Sequence, residues 1–262
     1  MIITPKMRED SRYEIAKACK ALYLSRNVLG LCEEAATPKQ EEFLLQVLQE
    51  EVALREKNRI TRLLSRAQFP TLKRFADYEF DCVKFPPTLS KEELLSVKFI
   101  QEKKNLVMYG PVGIGKTHMA IAVGMQAVQL GLRVKFYSVT SLVLKLGEAK
   151  KNGTLEKLVR ELQNLDLLIL DEWGYVPIDK ESSQLLFRIV ADSYESKSLI
   201  LTTNLEFSKW GGIFTDEQMA AAMIDRLVHH GHLILFEGKS YRMTHALMRK
   251  TSRNSAAFEA SS

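Results

Sequence analysis

A chain of 262 residues that is 46% hydrophobic and 26% charged has the make-up of an ordinary globular protein, which excludes disordered and fibrous classes. Its net charge of +5 and pI near 9.0 favour a polyanionic partner, although many basic proteins bind none. The apolar stretches are broken within about ten residues and the start, "MIITPKMRED", lacks a signal peptide's apolar run, so a cytoplasmic protein without a membrane partner is expected.

Residues 9–67 hold almost no Gly or Pro, and their apolar residues recur at helical spacing, as in Phe43, Leu44, Val47 and Leu48. Two or three helices are predicted. Gly30 is placed to end one of them, and Thr37, Pro38 and Glu41 to open the next as N-cap, first helical residue and capping-box-like acid. Cys19, Cys32 and Cys82 are odd in number and free of CxxC spacing, so neither a disulfide framework nor a zinc site is expected.

"REKNRITRLLSRAQFPTLKR", residues 55–74, carries seven Lys or Arg against one Glu. Arg55, Arg59, Arg62 and Arg66 fall at intervals of four, three and four, which a helix aligns along one face. The row would span ~16 Å at ~1.5 Å per residue, enough to follow several phosphates of one strand. With Lys73 and Arg74 it is the expected DNA-contacting surface, giving affinity without sequence choice. A solvated amphipathic face is the alternative.

From Phe69-Pro70 to Pro86-Pro87 the pattern turns irregular and aromatic (Phe75, Tyr78, Phe80, Phe85), which predicts an extended connector lying on a core. Ser90 then starts a helix to about Lys103. Beyond Asn105, strands are predicted at about 105–109, 133–138, 165–170, 198–203 and 232–236, and helices at about 116–130, 139–150, 154–163, 180–195 and 216–230. Near-continuous apolar strands such as "LDLLIL" and "SLILTT" belong in a parallel sheet buried on both faces. Residues 1–68 would form a helical DNA-binding and oligomerisation domain, 69–250 the α/β domain, and 251–262 a disordered tail.

"GPVGIGKT", Gly110 to Thr117, matches G-x-x-x-x-G-K-[ST] between an apolar strand and a helix. Its glycines (Gly110, Gly113, Gly115) and the residues between them (Pro111, Val112, Ile114) let backbone N–H groups turn toward a β-phosphate. Lys116 reaches the β/γ oxygens and Thr117 ligates Mg²⁺. The following helix N-terminus, which includes His118, adds its dipole; His118 itself needs no chemical role. "LDLLILDEWG" ends an apolar strand in Asp171, placed to hold Mg²⁺ through water, and Glu172, placed to polarise the attacking water. Asn204, at the end of "SLILTTN", would orient water at the γ-phosphate if its strand lies between the other two; capping a turn is the other reading. Arg226, in "AAMIDRLVHHG", is either a surface arginine or a cation inserted into a neighbouring subunit's γ-phosphate. The absence of an N-K-x-D motif favours ATP over GTP. A second basic surface is available at Lys145, Lys150, Lys151 and Lys157.

These four elements, in this order, resemble the AAA+ ATPases: Walker A at Gly110–Thr117, Walker B at Asp171 and Glu172, sensor 1 at Asn204, and a box VII-like arginine at Arg226. More narrowly, "GPVGIGKTH", "LLILDEWGYVP", "ILTTN" and "MIDRLVHHG…SYR" are similar to the IstB branch of insertion-sequence helper proteins, related to the DnaC helicase loaders. The resemblance implies a P-loop sheet of order 5-1-4-3-2, ATP and Mg²⁺ as cofactors, ATP-dependent homo-oligomerisation on duplex DNA, and delivery of target DNA to a transposase. A replicative helicase loader and a small-molecule P-loop kinase are the competing expectations; the Asp171–Glu172 pair points to water as acceptor and against the kinase. The sequence ends soon after the fifth strand, leaving little room for a helical lid, so Arg242 is a weak sensor 2.

Overall fold

The computed structural model describes residues 5–174, 179–214 and 216–241, with side chains from Arg8 onward. By internal contacts the chain divides at Arg62/Leu63 into two compact units.

The first unit is helical: α1 (Pro5–Ala21), α2 (Asn27–Ala35) and most of α3 (Pro38–Ala67). Ile15, Ala18 and Cys19 of α1, with Leu22 just after it, pack with Leu48 of α3, flanked by Val28, Leu29, Leu44, Leu45 and Val52. Phe43 and Val47, of the same periodic set, remain exposed. Gly30 does not end a helix: α2 runs through it to Ala35. Pro38 does open α3, but the reciprocal cap belongs to Gln40, whose Oε1 accepts from the backbone N–H and the hydroxyl of Thr37 (both 2.8 Å). Glu41 is instead 1% exposed and accepts hydrogen bonds from Arg8 and Arg12, with closest N···O distances of 3.1 and 2.9 Å. Burial works to raise its carboxyl pKa, and the two guanidiniums more than offset that, holding it below the usual carboxylate range.

The second unit is an α/β sheet. Strands β1 (Val83–Lys84), β2 (Asn105–Tyr109), β3 (Val134–Ser138), β4 (Leu167–Trp173), β5 (Ser198–Thr203) and β6 (Gly231–Phe236) lie in the order β1-β6-β2-β5-β4-β3. All pairings are parallel except β1 with β6. Counted from the P-loop strand, the five parallel strands run 5-1-4-3-2, the expected order. The two-residue β1, hidden in the aromatic connector, extends the edge and is too short to leave a sequence pattern.

Helices α6 (Lys116–Gln129), α7 (Val139–Lys151), α8 (Leu155–Gln163), α9 (Lys180–Ser193) and α11 (Glu217–His229) cover the sheet, with a short α10 at Gly211–Phe214. Alternate residues of a strand face opposite ways. Leu168 and Leu170 of β4 join the core cluster built from α7, α8, α9 and α11, whereas Ile169 meets α6, where a Cβ on Gly124 would lie 2.8 Å from its Cδ1. Trp173, Trp210 and Phe214 of that cluster pack with tilted rings, the latter two with centroids 5.2 and 5.5 Å from Trp173. The helix expected from Ser90 to Lys103 is two helices, α4 (Lys91–Ser96) and α5 (Lys98–Gln101), broken where Val97 takes a left-handed φ of 51°. Ser90 supplies a full capping box with Glu93. Among the described residues no helix is long and apolar enough to cross a membrane.

Candidate nucleotide-binding site

The turn from β2 into α6 opens on three glycines with positive φ: Gly110 (156°), Gly113 (79°) and Gly115 (104°). At Gly110 a Cβ would lie 2.3 Å from the Phe236 carbonyl oxygen, so neither backbone nor space admits a side chain. The Gly110 N–H is held by the Thr203 carbonyl (3.2 Å), tying the loop to the end of β5. Lys116 is 8% exposed, and its ammonium donates to the Gly110 and Pro111 carbonyls (both 2.6 Å). The lysine is thus folded over its own loop, where phosphate oxygens would compete for it.

Across the sheet edge, the Thr117 hydroxyl donates to both carboxylate oxygens of Asp171, at 2.9 and 3.1 Å. Adjacent residues of a regular strand could not both serve one site, since they face opposite ways. The register resolves this: Leu170 pairs with Leu201 but Trp173 with Thr203, so β4 takes three steps against two and bulges at Asp171–Glu172. Glu172 carries the bulge in a left-handed conformation, φ 63°. Asp171 is 6% exposed beneath the loop, while Glu172 lines a cavity of about 330 Å³ together with Gly113, Gly115, Lys116, Thr117 and His118.

Two threonines hold the bulge, and the sequence reading passed over both. The Thr202 hydroxyl accepts from the Glu172 backbone N–H (3.1 Å) and donates to Asp171 Oδ1. That of Thr203 donates to the Trp173 carbonyl (2.9 Å). Their signal was available: hydroxyl residues on an otherwise apolar buried strand need partners, and "ILTTN" puts two of them beside the acidic pair. Asn204 follows directly, and its Oδ1 is buried without a hydrogen-bond partner among the described residues. The condition attached to it is met, because β5 pairs with both β2 and β4.

The connector supplies further wall. Tyr78 lies against the loop, its hydroxyl 3.1 Å from where a Gly115 Cβ would be, and its ring meets His118 edge-on at 5.1 Å. The His118 ring in turn bonds the Arg74 carbonyl (3.3 Å). Burial raises the Tyr78 phenol pKa, and its oxygen is buried without a hydrogen-bond partner among the described residues. Thr71, Lys73 and Tyr241 also line the cavity, and the Tyr241 N–H donates to the Gly113 carbonyl (3.0 Å). Lys73, expected on a DNA surface, therefore borders the phosphate loop. Arg242 lies outside the described residues, as do Tyr175 to Pro177 of the "DEWGYVP" stretch, Ile178 after it, and the expected tail.

Arg226 is not among the residues lining this cavity. Its guanidinium lies over the Phe187 ring at 5.3 Å and donates to the Ala222 carbonyl (2.8 Å). The arginine row does lie on one helix, α3, but Arg55 pairs with Glu51 (2.7 Å) and Arg59 with Glu56 (2.8 Å). Arg62 folds back to the Asn58 carbonyl (3.3 Å). Arg66 and Arg74 are exposed.

Comparison with known proteins bears on the whole site. Residues 26–249 match the family model described as IstB-like ATP binding protein. The ATP-binding protein of insertion sequence IS21 from Pseudomonas aeruginosa is 37% identical over 229 residues, 86% of this chain and 85% of that one. That of IS5376 from Geobacillus stearothermophilus is 37% identical over 202 residues, 77% and 80% of the two. Among solved structures, the DnaC helicase loader superposes with a TM-score of 0.51 at 19% identity, covering 67% of this chain and 99% of that one, which shows a common AAA+ fold.

Proposed function

Because the chain belongs to the IstB-like ATP-binding family, we propose that it hydrolyses ATP to control its grip on duplex DNA, and that it presents that DNA to the transposase of an insertion sequence. The observation that supports this best is the bulge. It sets Glu172 on the cavity wall beside Lys116 and Thr117, where a carboxylate can polarise water for attack on a γ-phosphate. A kinase would need an acceptor's hydroxyl there instead.

Lys116 takes the β/γ oxygens. Thr117 and Asp171 would hold Mg²⁺, and their hard oxygen donors, already 2.9 Å apart, fit that ion. Bound there, the ion neutralises charge developing on the phosphates. Asn204, with its Oδ1 unpartnered among the described residues, orients the attacking water. Arg226 acts on the site of an adjoining copy, coupling nucleotide occupancy to homo-oligomer assembly. Arg55, Arg59, Arg62, Arg66 and Arg74 meet duplex phosphates, with no route to base reading, and Lys73 serves the nucleotide. The setting is the cytoplasm.

Phosphate release without added acceptor, together with duplex affinity in ATP, in ADP and without nucleotide, tests the reading. Glu172→Gln should bind ATP and lose hydrolysis by about 100-fold or more, while holding duplex as the ATP form does. Affinity for duplex that is indifferent to nucleotide would sink the coupling.

A further inference from the structure

Beyond the nucleotide site, the sheet unit has a second cavity, of about 870 Å³, on the outer side of β3, the last strand of the sheet. Its wall includes Arg66, Arg133, Lys135, Tyr137, Lys145 and Glu161. Tyr137 is 7% exposed and has two lysines beside its ring. Lys135 Nζ lies 5.5 Å and Lys145 Nζ 5.3 Å from its ring centroid, and the Lys145 ammonium also donates to the Tyr137 hydroxyl (2.9 Å). Lys135 donates to the Arg66 carbonyl (2.9 Å), which draws the end of α3 to the cavity rim.

Like charges do not gather around one ring without cause. Arg133 is matched by Asp166 at 3.1 Å, and Glu161 is the acid on the cavity wall. Neither Lys135 nor Lys145 has a carboxylate within ion-pair distance among the described residues, in contrast to Lys150, which pairs with Glu181. Burial, and after it Lys145, lowers the Lys135 pKa, with Glu161 working against them. Cations held together at such a cost are stabilised when an anion binds between them.

We propose that Lys135 and Lys145, held beside Tyr137, form with Arg66 on the same cavity wall a second phosphate-binding site that takes the backbone of a bound polynucleotide. Arg66, on the helix end whose carbonyl Lys135 holds, adds a third cation to the wall, so the site carries more positive charge than a single phosphate neutralises and suits the successive phosphates of a polynucleotide over a free anion. The assignment thus rests on the DNA-binding reading above and gives it a contact on the sheet unit, apart from the nucleotide. Lys145, which the sequence alone leaves between a second basic surface and a solvated lysine, is here a fixed donor.

The test is lysine acetylation read by mass spectrometry on the full chain with saturating ATP, in the presence of duplex DNA or of inorganic tripolyphosphate, alongside duplex titrations of Lys135→Gln/Lys145→Gln. Duplex should protect both lysines and leave Lys157 reactive. With two phosphate contacts gone, the salt slope should become shallower by about 1.8, which amounts to about 60-fold weaker binding at 0.1 M salt. ATP binding should be unchanged. Unprotected lysines, or an unaltered slope, overturn the proposal. Protection by tripolyphosphate alone overturns the polynucleotide assignment and leaves a site for free phosphates. Should the variant fold poorly, the footprint on the unaltered chain still decides. Parent protein that never binds duplex would defeat the broader DNA-binding reading, whereas duplex binding indifferent to these lysines defeats this inference alone.

Discussion

The two units of this chain use buried polar groups in opposite ways. In the sheet unit an extensive apolar cluster surrounds β4 and β5, and the buried polar groups Thr202, Thr203 and Lys116 line a cavity. In the helical unit the apolar cluster is a handful of side chains, and the fully buried carboxylate, Glu41, joins α1 to α3 through Arg8 and Arg12. A unit with core to spare can hold polar groups ready for a ligand; a small one needs them to define its own packing.

Removing Glu41 should therefore have the largest structural effect. Glu41→Ala leaves two guanidiniums without their shared anion and should destabilise the helical unit by about 3 kcal/mol, the lower end of the range for a broken buried pair because both arginines are partly exposed. Hydrogen exchange should then show α1 to α3 opening while the sheet strands keep their protection. Acid should act on the same contact. The Glu41 pKa is depressed on folding, so its contribution is complete above the ordinary carboxylate range and is lost as pH falls through the folded value. Equal loss of protection in both units would contradict this division.

The sheet unit has its own buried charge, Lys197, 1% exposed and donating to the Leu162 carbonyl. Burial pushes its pKa down to about 8 from 10.5, which corresponds to about 3 kcal/mol of unfavourable charge burial at neutral pH. Lys197→Met removes that cost but strands one carbonyl, worth about 1 kcal/mol, so a net gain of about 2 kcal/mol in denaturant unfolding at pH 7 is expected. The sign follows from linkage. Between about pH 8 and 10.5 the unfolded chain binds the extra proton, so parent stability rises with pH. The advantage of the variant should shrink across that window.

Strand positions were legible because parallel strands buried on both faces leave continuous apolar runs, and 105–109 and 198–203 fall where β2 and β5 do; their order came only with the family resemblance. The same patterning misread Glu41, since a cap and a buried ion pair three residues into a helix look alike until α1 is seen to bring Arg8 and Arg12 alongside. It also could not show the bulge, a register shift set by hydrogen bonds from Thr202 and Thr203 on a strand far along the chain. The connector announced itself by its aromatics, but that Tyr78 would meet Gly115 depended on a glycine whose missing Cβ admits a ring.

The bulge makes a smaller prediction in the sheet unit. A left-handed non-glycine residue costs on the order of 1 kcal/mol, and Glu172 carries that cost at φ 63°. Glu172→Gly should raise stability by about 1 kcal/mol while ATP hydrolysis disappears and ATP binding persists. A destabilised variant would mean that the Glu172 side chain, and not the Thr202 contact to its backbone, holds the bulge.

The smallest structural effect belongs to the arginine row of α3. Arg59 pairs with Glu56 one turn away, both side chains about half exposed, and such pairs are worth about 0.5 kcal/mol or less. Arg59→Ala should leave the unfolding midpoint almost unmoved. If the row meets phosphates, the same change removes one contact and weakens duplex binding about eightfold at 0.1 M salt. The two readouts separate the alternatives left by the sequence, because a solvated helix face would leave both untouched, whereas a DNA surface moves only the second. Glu56→Gln sharpens the comparison. It releases Arg59 without removing it, so duplex binding should tighten where a structural ion pair would have been lost for nothing.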